Sequence, residues 1–252
     1  MRAVPKKKSD ETGAQIANLL RKCRVQSRKD WDVRLISREI EKAKHADVYD
    51  FWKLKSIFEL LVGEYDAFKS SFENLLRLDS SRVPEILTYF PLLYSSGYVE
   101  DAERLITDRM FVEPLCDLRD LADCLYYSLN LPRFVQLRDL INRTGVSADD
   151  GLIGHMENEV ASIVHAMPDA PAIVRDVSVL VAKTIRRLGY LIAYRPYYRF
   201  DADDDCLYVV FPMPFEFDEV IKLEDEFWST VDSEGKFADG RVHVSFRVLD
   251  AE

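Results

Sequence analysis

No stretch of this chain approaches the roughly 20 uncharged residues that a bilayer-spanning helix needs, and the charged start from Met1 to Lys8 has no apolar run behind it. The expectation is a cytoplasmic protein with no membrane attachment. Cysteine is scarce: Cys23, Cys116, Cys124 and Cys206 form no C-x-x-C pair and have no histidine at ligand spacing. That pattern excludes a disulfide framework and a zinc site, and leaves reduced thiols. Catalytic signatures are missing too. There is no G-x-S-x-G, P-loop, G-x-G-x-x-G or H-E-x-x-H, and His45, His155, His165 and His243 pair with no Cys or Ser in a nucleophile motif. The reading is a chain that is not an enzyme, with no catalytic residue, no cofactor and no metal. The acids Asp201, Asp203, Asp204 and Asp205 are the closest approach to a hard-cation site. They lack the glycine and the distal glutamate of a calcium loop, and read as a solvated turn.

A basic surplus is also absent. The net charge is -10, which argues against a generic nucleic-acid coat. The charge is unevenly placed, however: residues 1–45 hold thirteen Lys/Arg against six Asp/Glu, and residues 197–252 five against fifteen. What the chain does have is apolar residues, 48%, over 252 positions, enough for two compact units.

Residues 1–12, with Pro5 and Lys6 to Lys8, lack apolar periodicity and are expected to be a flexible basic tail. Residues 13–145 read as all-helical, beginning with Ile16, Leu19, Leu20 and Cys23, then Trp31, Val33, Leu35, Ile36 and Ile40. Phe58, Leu92 and Tyr126 lie 34 apart, as do Phe72, Ile106 and Leu140, with breaks at Gly63, Gly97 and Asn130. The run Gly63-Glu64-Tyr65 before Phe72 to Asp79, and Gly97 to Ala102, resembles the turn and second helix of tetratricopeptide (TPR) repeats. The copy at Asn130 to Leu140 is degenerate, and the proline that usually closes a repeat is absent after Asp79. That resemblance implies stacked helix pairs with a concave protein-binding face. Tyr94 and Tyr127, with Tyr89, Phe90 and Tyr126, are candidates for lining it.

Loop formers from Thr144 to Gly151 place a boundary at 145–152, and residues 152–252 form the second expected domain. Val160 to His165 alternates like a strand. Asp169 and Pro171 start a helix with its buried stripe at Ile173, Val177, Leu180, Val181, Ile185 and Leu188. Strands at Tyr190 to Phe200 and Cys206 to Phe211 follow, then a helix marked by Phe217, Val220, Ile221, Phe227 and Val231, then a strand with Val242, Val244, Phe246 and Val248 on its buried face. The order βαββαβ is that of a ferredoxin-like sandwich, so the whole chain reads as α+β. The segments Leu188-Gly189-Tyr190 and Gly235 to Gly240 also make this part resemble the bacterial ribonuclease regulator B family, although Ala238 is inserted and Arg241 replaces the usual tryptophan. The resemblance implies a domain that binds and dampens an RNA-degrading enzyme.

The expected function is that of a non-enzymatic regulator or adaptor acting by protein–protein binding, with inhibition of a nucleic-acid-processing protein as the implied mode. Expected partner-binding residues are Tyr94, Tyr127, the acidic helix residues Glu216 and Glu219, and a sheet face carrying Arg195, Tyr197, Arg199, Arg241 and His243. The second expectation is direct nucleic-acid binding by the basic N-terminal segment and that Arg/Tyr face.

Overall fold

The computed structural model describes residues 8–78, 87–112, 117–145, 150–237 and 239–249. Lys6 and Lys7 of the expected tail, Cys116, the junction residues 146–149 and Ala238 lie outside them. The chain divides into two compact units, one of residues 1–81 with 186–193, the other of 82–185 with 194–252.

The first unit is built from α1 (Lys8–Leu20), α2 (Trp31–Ala46), α3 (Val48–Leu61) and α4 (Tyr65–Leu78). Helix α1 starts at Lys8, inside the expected tail. Apolar residues at three- and four-residue intervals give each helix one buried stripe. Ile16, Val33, Ile36, Ile40, Phe51, Leu54, Phe58 and Leu61 make the core. Asp47 separates α2 from α3 as a single extended residue, and its carboxylate accepts the N–H groups of Tyr49 and Asp50 at 2.9 and 3.2 Å. The Leu188-Gly189-Tyr190 motif is absorbed here: Val25 N–H donates to Gly189 C=O, Leu191 N–H donates to Cys23 C=O, and Arg24 bridges Tyr190. Tyr190 is therefore not part of a strand running to Phe200, as the sequence suggests.

In the second unit, α5 (Phe90–Ser95) and α6 (Val99–Glu103) are followed by α7 (Leu118–Tyr127), α8 (Leu131–Thr144), α9 (Asp150–Ala166) and α10 (Ala170–Leu188). The α3–α4, α5–α6 and α7–α8 turns are the same device. Gly63, Gly97 and Leu129 take left-handed conformations with φ of 77°, 79° and 48°. Each donates back three residues, to Leu60, Tyr94 and Tyr126, while the next residue donates back five, to Glu59, Leu93 and Leu125. Such doubly closed ends satisfy carbonyls that the helix leaves unpaired. Gly97 also packs tightly, since a Cβ there would stand 3.0 Å from the Ala182 Cβ. The third break sits on Leu129; Asn130 caps α8 instead, accepting from Arg133 N–H.

Strands β1 (Tyr197–Asp201) and β2 (Cys206–Met213) form an antiparallel hairpin, and β2 pairs in parallel with β3 (Val242–Val248) after the crossing helix α11 (Phe217–Glu234). The expected strand at Val160 to His165 is wrong: those residues lie within α9. In a βαββαβ sheet that strand sits between the two strands corresponding to β2 and β3, which are then parallel to each other. With it helical, β2 and β3 remain parallel but pair directly, in a sheet of order β1-β2-β3 among the described residues.

Candidate interaction surfaces

Register decides which side chains share a sheet face. Tyr197, Val210 and Ser245 form one cross-strand row, Arg199, Tyr208 and His243 the next, and Pro212 with Arg247 a third. The opposite face carries Tyr198, Leu207, Val209, Phe211, Val242, Val244 and Phe246 and is buried. Tyr197, Arg199, His243 and Arg247 thus share one face, with Tyr208 half-buried among them. The Tyr208 and His243 rings are 5.3 Å apart, and Trp228 of α11 extends the row at 5.9 Å from His243. Lost solvation raises the Tyr208 phenol above its usual range, with the charges of Cys206, Asp204 and Asp201 adding to it.

Arg195 and Arg241 precede their strands and are engaged elsewhere. Arg195 pairs with Asp123 and lies 4.7 Å from the Tyr126 ring. Arg241 grips both oxygens of Asp169 at 3.0 and 3.1 Å, which holds that carboxyl below the usual range. Tyr94 and Tyr127 are corrected more strongly. They are 1% and 7% exposed and pack with Phe90 as an aromatic core, their centroids 6.1 Å apart. Burial raises both phenols. They hold the unit together and line no open groove.

The acidic helix offers more than its charges. Val220, Leu223, Phe227 and Val231 face the sheet, but Phe217 is 67% and Ile221 43% exposed. In a β-α-β crossover the helix runs opposite to its strands. The contacts agree, since Glu224 accepts Phe246 N–H at 3.4 Å and Trp228 meets His243, one turn further on. Extending that run the other way sets Ile221 and Phe217 beside Val248 and Leu249, themselves 40% and 37% exposed. That placement makes a candidate apolar patch of four side chains, with the exposed Asp218, Lys222 and Asp225 along it. Glu216, exposed, and Glu219, half-buried, stand at the start of the helix, where Glu216 C=O accepts the N–H groups of Glu219 and Val220. No family model, curated protein or solved structure matches this chain.

The sequence signal for the patch was present. Phe217 and Ile221 are one turn apart and offset from the Val220–Leu223–Phe227 stripe, too far round the helix for all five to be buried together. Among the described residues no group of three or more His, Cys, Asp or Glu is placed to hold a metal ion. Asp201 accepts the Asp203 N–H and pairs with Arg199. Among the described residues no helix is long and apolar enough to cross a membrane.

Proposed function

We propose that this chain is a regulator or adaptor that works by binding another protein, without chemistry of its own. The patch of Phe217, Ile221, Val248 and Leu249 carries this reading. Isolated exposed apolar residues are ordinary, but a contiguous group with a polar rim is characteristic of docking sites. Asp218 and Asp225 outnumber Lys222 beside the patch, and that acidic surplus favours a partner whose own rim is basic. The repeated turns at 63, 97 and 129 support the TPR-like reading of residues 50–142. The helix–strand order from 170 onward keeps that much of the ferredoxin-like reading and of the likeness to the ribonuclease regulator B family. On that likeness the partner is an RNA-degrading enzyme that the protein dampens.

The test is affinity capture with the full chain and with Phe217→Asp/Ile221→Asp, after nuclease treatment. A stoichiometric protein held by the first and lost by the second supports the proposal. Equal capture by both removes it.

A second reading, direct nucleic-acid binding, is favoured by the Arg199–Tyr208–His243 row with Trp228 beside it. Exposed aromatics interleaved with arginines on a sheet are how single strands are stacked and neutralised. Salt-steep binding of a single-stranded oligonucleotide, lost in Tyr208→Ala/Trp228→Ala, would support it. The acidic surroundings weigh against it.

A further inference from the structure

Helix α2 in the first unit carries the charge opposite to that of the α11 patch. Trp31 is 61% exposed and Leu35, one turn on, 41%, on the side away from the buried Val33, Ile36 and Ile40. Arg34 and Arg38 share that side, with the Arg34 guanidinium 5.7 Å from the Trp31 ring. Alongside, a groove of about 330 Å³ against α1 is walled by Leu19, Leu35 and Ile36, with Lys22 and Asp32 as its charged residues. Arg34 and Arg38 outnumber Glu41 on that side of α2, so the surface is basic at short range whatever the net charge of the whole chain.

We infer that the occupant of this exposed side of α2, at the edge of the groove, is α11 of a second copy of the chain. Phe217 and Ile221 seat against Trp31, Leu35 and Leu19, while Asp218 and Asp225 face Arg34 and Arg38. The inference rests on the α11 patch being a protein-docking surface, and it adds to the proposed target enzyme a second occupant of that patch, another copy of the chain. Both surfaces are a pair of bulky apolar side chains one helical turn apart, flanked by exposed charges on the same helix. The signs are opposite, so contact between copies satisfies both, whereas two α11 patches or two α2 surfaces would repel. The contact joins unlike surfaces and leaves one of each free, so assembly grows with concentration unless a ring closes.

Sedimentation velocity of the full chain from about 1 to 200 µM tests this across the range of a modest interface. The wild type is expected to associate with rising concentration, and less so as added salt screens the rims. Arg34→Glu/Arg38→Glu and Asp218→Lys/Asp225→Lys are each expected to weaken association by about tenfold or more. An equimolar mixture of the two variants is expected to recover it, because the intact acidic patch of one meets the intact basic surface of the other. All four side chains are exposed, and circular dichroism of each variant checks its fold. A chain that stays monomeric throughout, an association indifferent to either pair, or a mixture no better than its components overturns the inference. Phe217→Asp/Ile221→Asp separates the two levels. If it abolishes capture of a different protein while the Arg34/Arg38 reversal leaves the mass unchanged, the docking reading stands and the second copy does not. If it changes neither, both fall.

Discussion

Replacing Gly97 by alanine tests whether the α5–α6 turn is fixed by its packing on α10 as well as by its backbone. The residue has φ of 79°, where an L-side chain costs about 1–2 kcal/mol. Its new Cβ would stand 3.0 Å from the Ala182 Cβ, an atom tied to the α10 backbone that no rotamer change can move. Crowding of that kind adds roughly 1–3 kcal/mol before relaxation. Gly145 is the control: its φ is 60° with nothing within 4 Å of an added Cβ, so Gly145→Ala bears the backbone cost alone. Gly97→Ala is therefore expected to destabilise by about 2–4 kcal/mol and Gly145→Ala by about 1–2 kcal/mol. Adding Ala182→Gly to Gly97→Ala should return about 1 kcal/mol or more as coupling, after allowing for the helix cost of the new glycine. The assay is urea unfolding followed by Trp228 fluorescence in a Trp31→Phe/Trp52→Phe background. Trp228, Gly97, Ala182 and Gly145 all belong to the second unit, so one transition is followed even if the units unfold separately. Equal losses for the two glycine variants, with zero coupling to residue 182, would refute the packing argument.

The first unit contains a buried acid, Glu59, 6% exposed, hydrogen-bonded by Ser71 at 2.5 Å and 3.8 Å from Lys55. Desolvation dominates and raises its carboxyl above the usual range. A raised carboxylate pKa means that the folded state favours the proton. The stabilising contribution is therefore complete below the ordinary carboxylate range and is lost as pH rises through the folded value. Glu59→Gln should flatten that slope, seen as a thermal midpoint in the variant that falls less than that of the wild type from acid to neutral pH. Tyr198 is buried and donates to Tyr127 C=O at 2.9 Å. Tyr198→Phe leaves that carbonyl unpaired and should cost about 1–2 kcal/mol by denaturant titration, whereas a loss near zero would mean that water reaches it. Burial pushes the Cys23 thiol up to about 11. Its alkylation at pH 8, read by peptide mass spectrometry, should be slow in the native protein and fast in urea.

The helical parts were legible because a helix declares itself over several turns. The spacing at Ile16, Val33, Ile36 and Ile40 placed half of the first core, and the glycines placed two of the three left-handed turns. The third turn escaped because Leu129 takes an unfavourable conformation that tertiary packing imposes and no residue type announces. The sheet face was half legible. Alternation assigned Tyr197, Arg199 and His243 to one side, but Arg195 and Arg241 lie one or two residues outside their strands, where alternation has no force, and ion pairs claim them. Tyr94 and Tyr127 show a different limit. Aromatics at helical spacing fit a groove and a core equally well, and only their packing as a triangle with Phe90 decides.

The misread strand at Val160 to His165 shows how a short window misleads and what the true helix changes. Within six residues, Val160, Ser162 and Val164 alternate with Ala161, Ile163 and His165. Extended by two turns, the pattern becomes Ile153, Met156, Val160, Ile163 and Met167, all buried at intervals of three and four. Glu157, on the same helix, is buried and paired with Arg138 at 2.9 Å, a cost that a two-residue period cannot explain but a helix packed on α8 can. The consequence reaches the sheet. Without a strand between β2 and β3 the sheet is narrow, and β3 remains an edge as it would in the four-stranded sheet, a position that invites pairing with foreign strands. That edge is covered: Val244 is fully buried, and Glu224 accepts the Phe246 N–H. The Phe246 N–H is thereby withheld from a foreign strand, and the exposed Phe217 and Ile221 lie on the same side of α11 as the Glu224 that takes it.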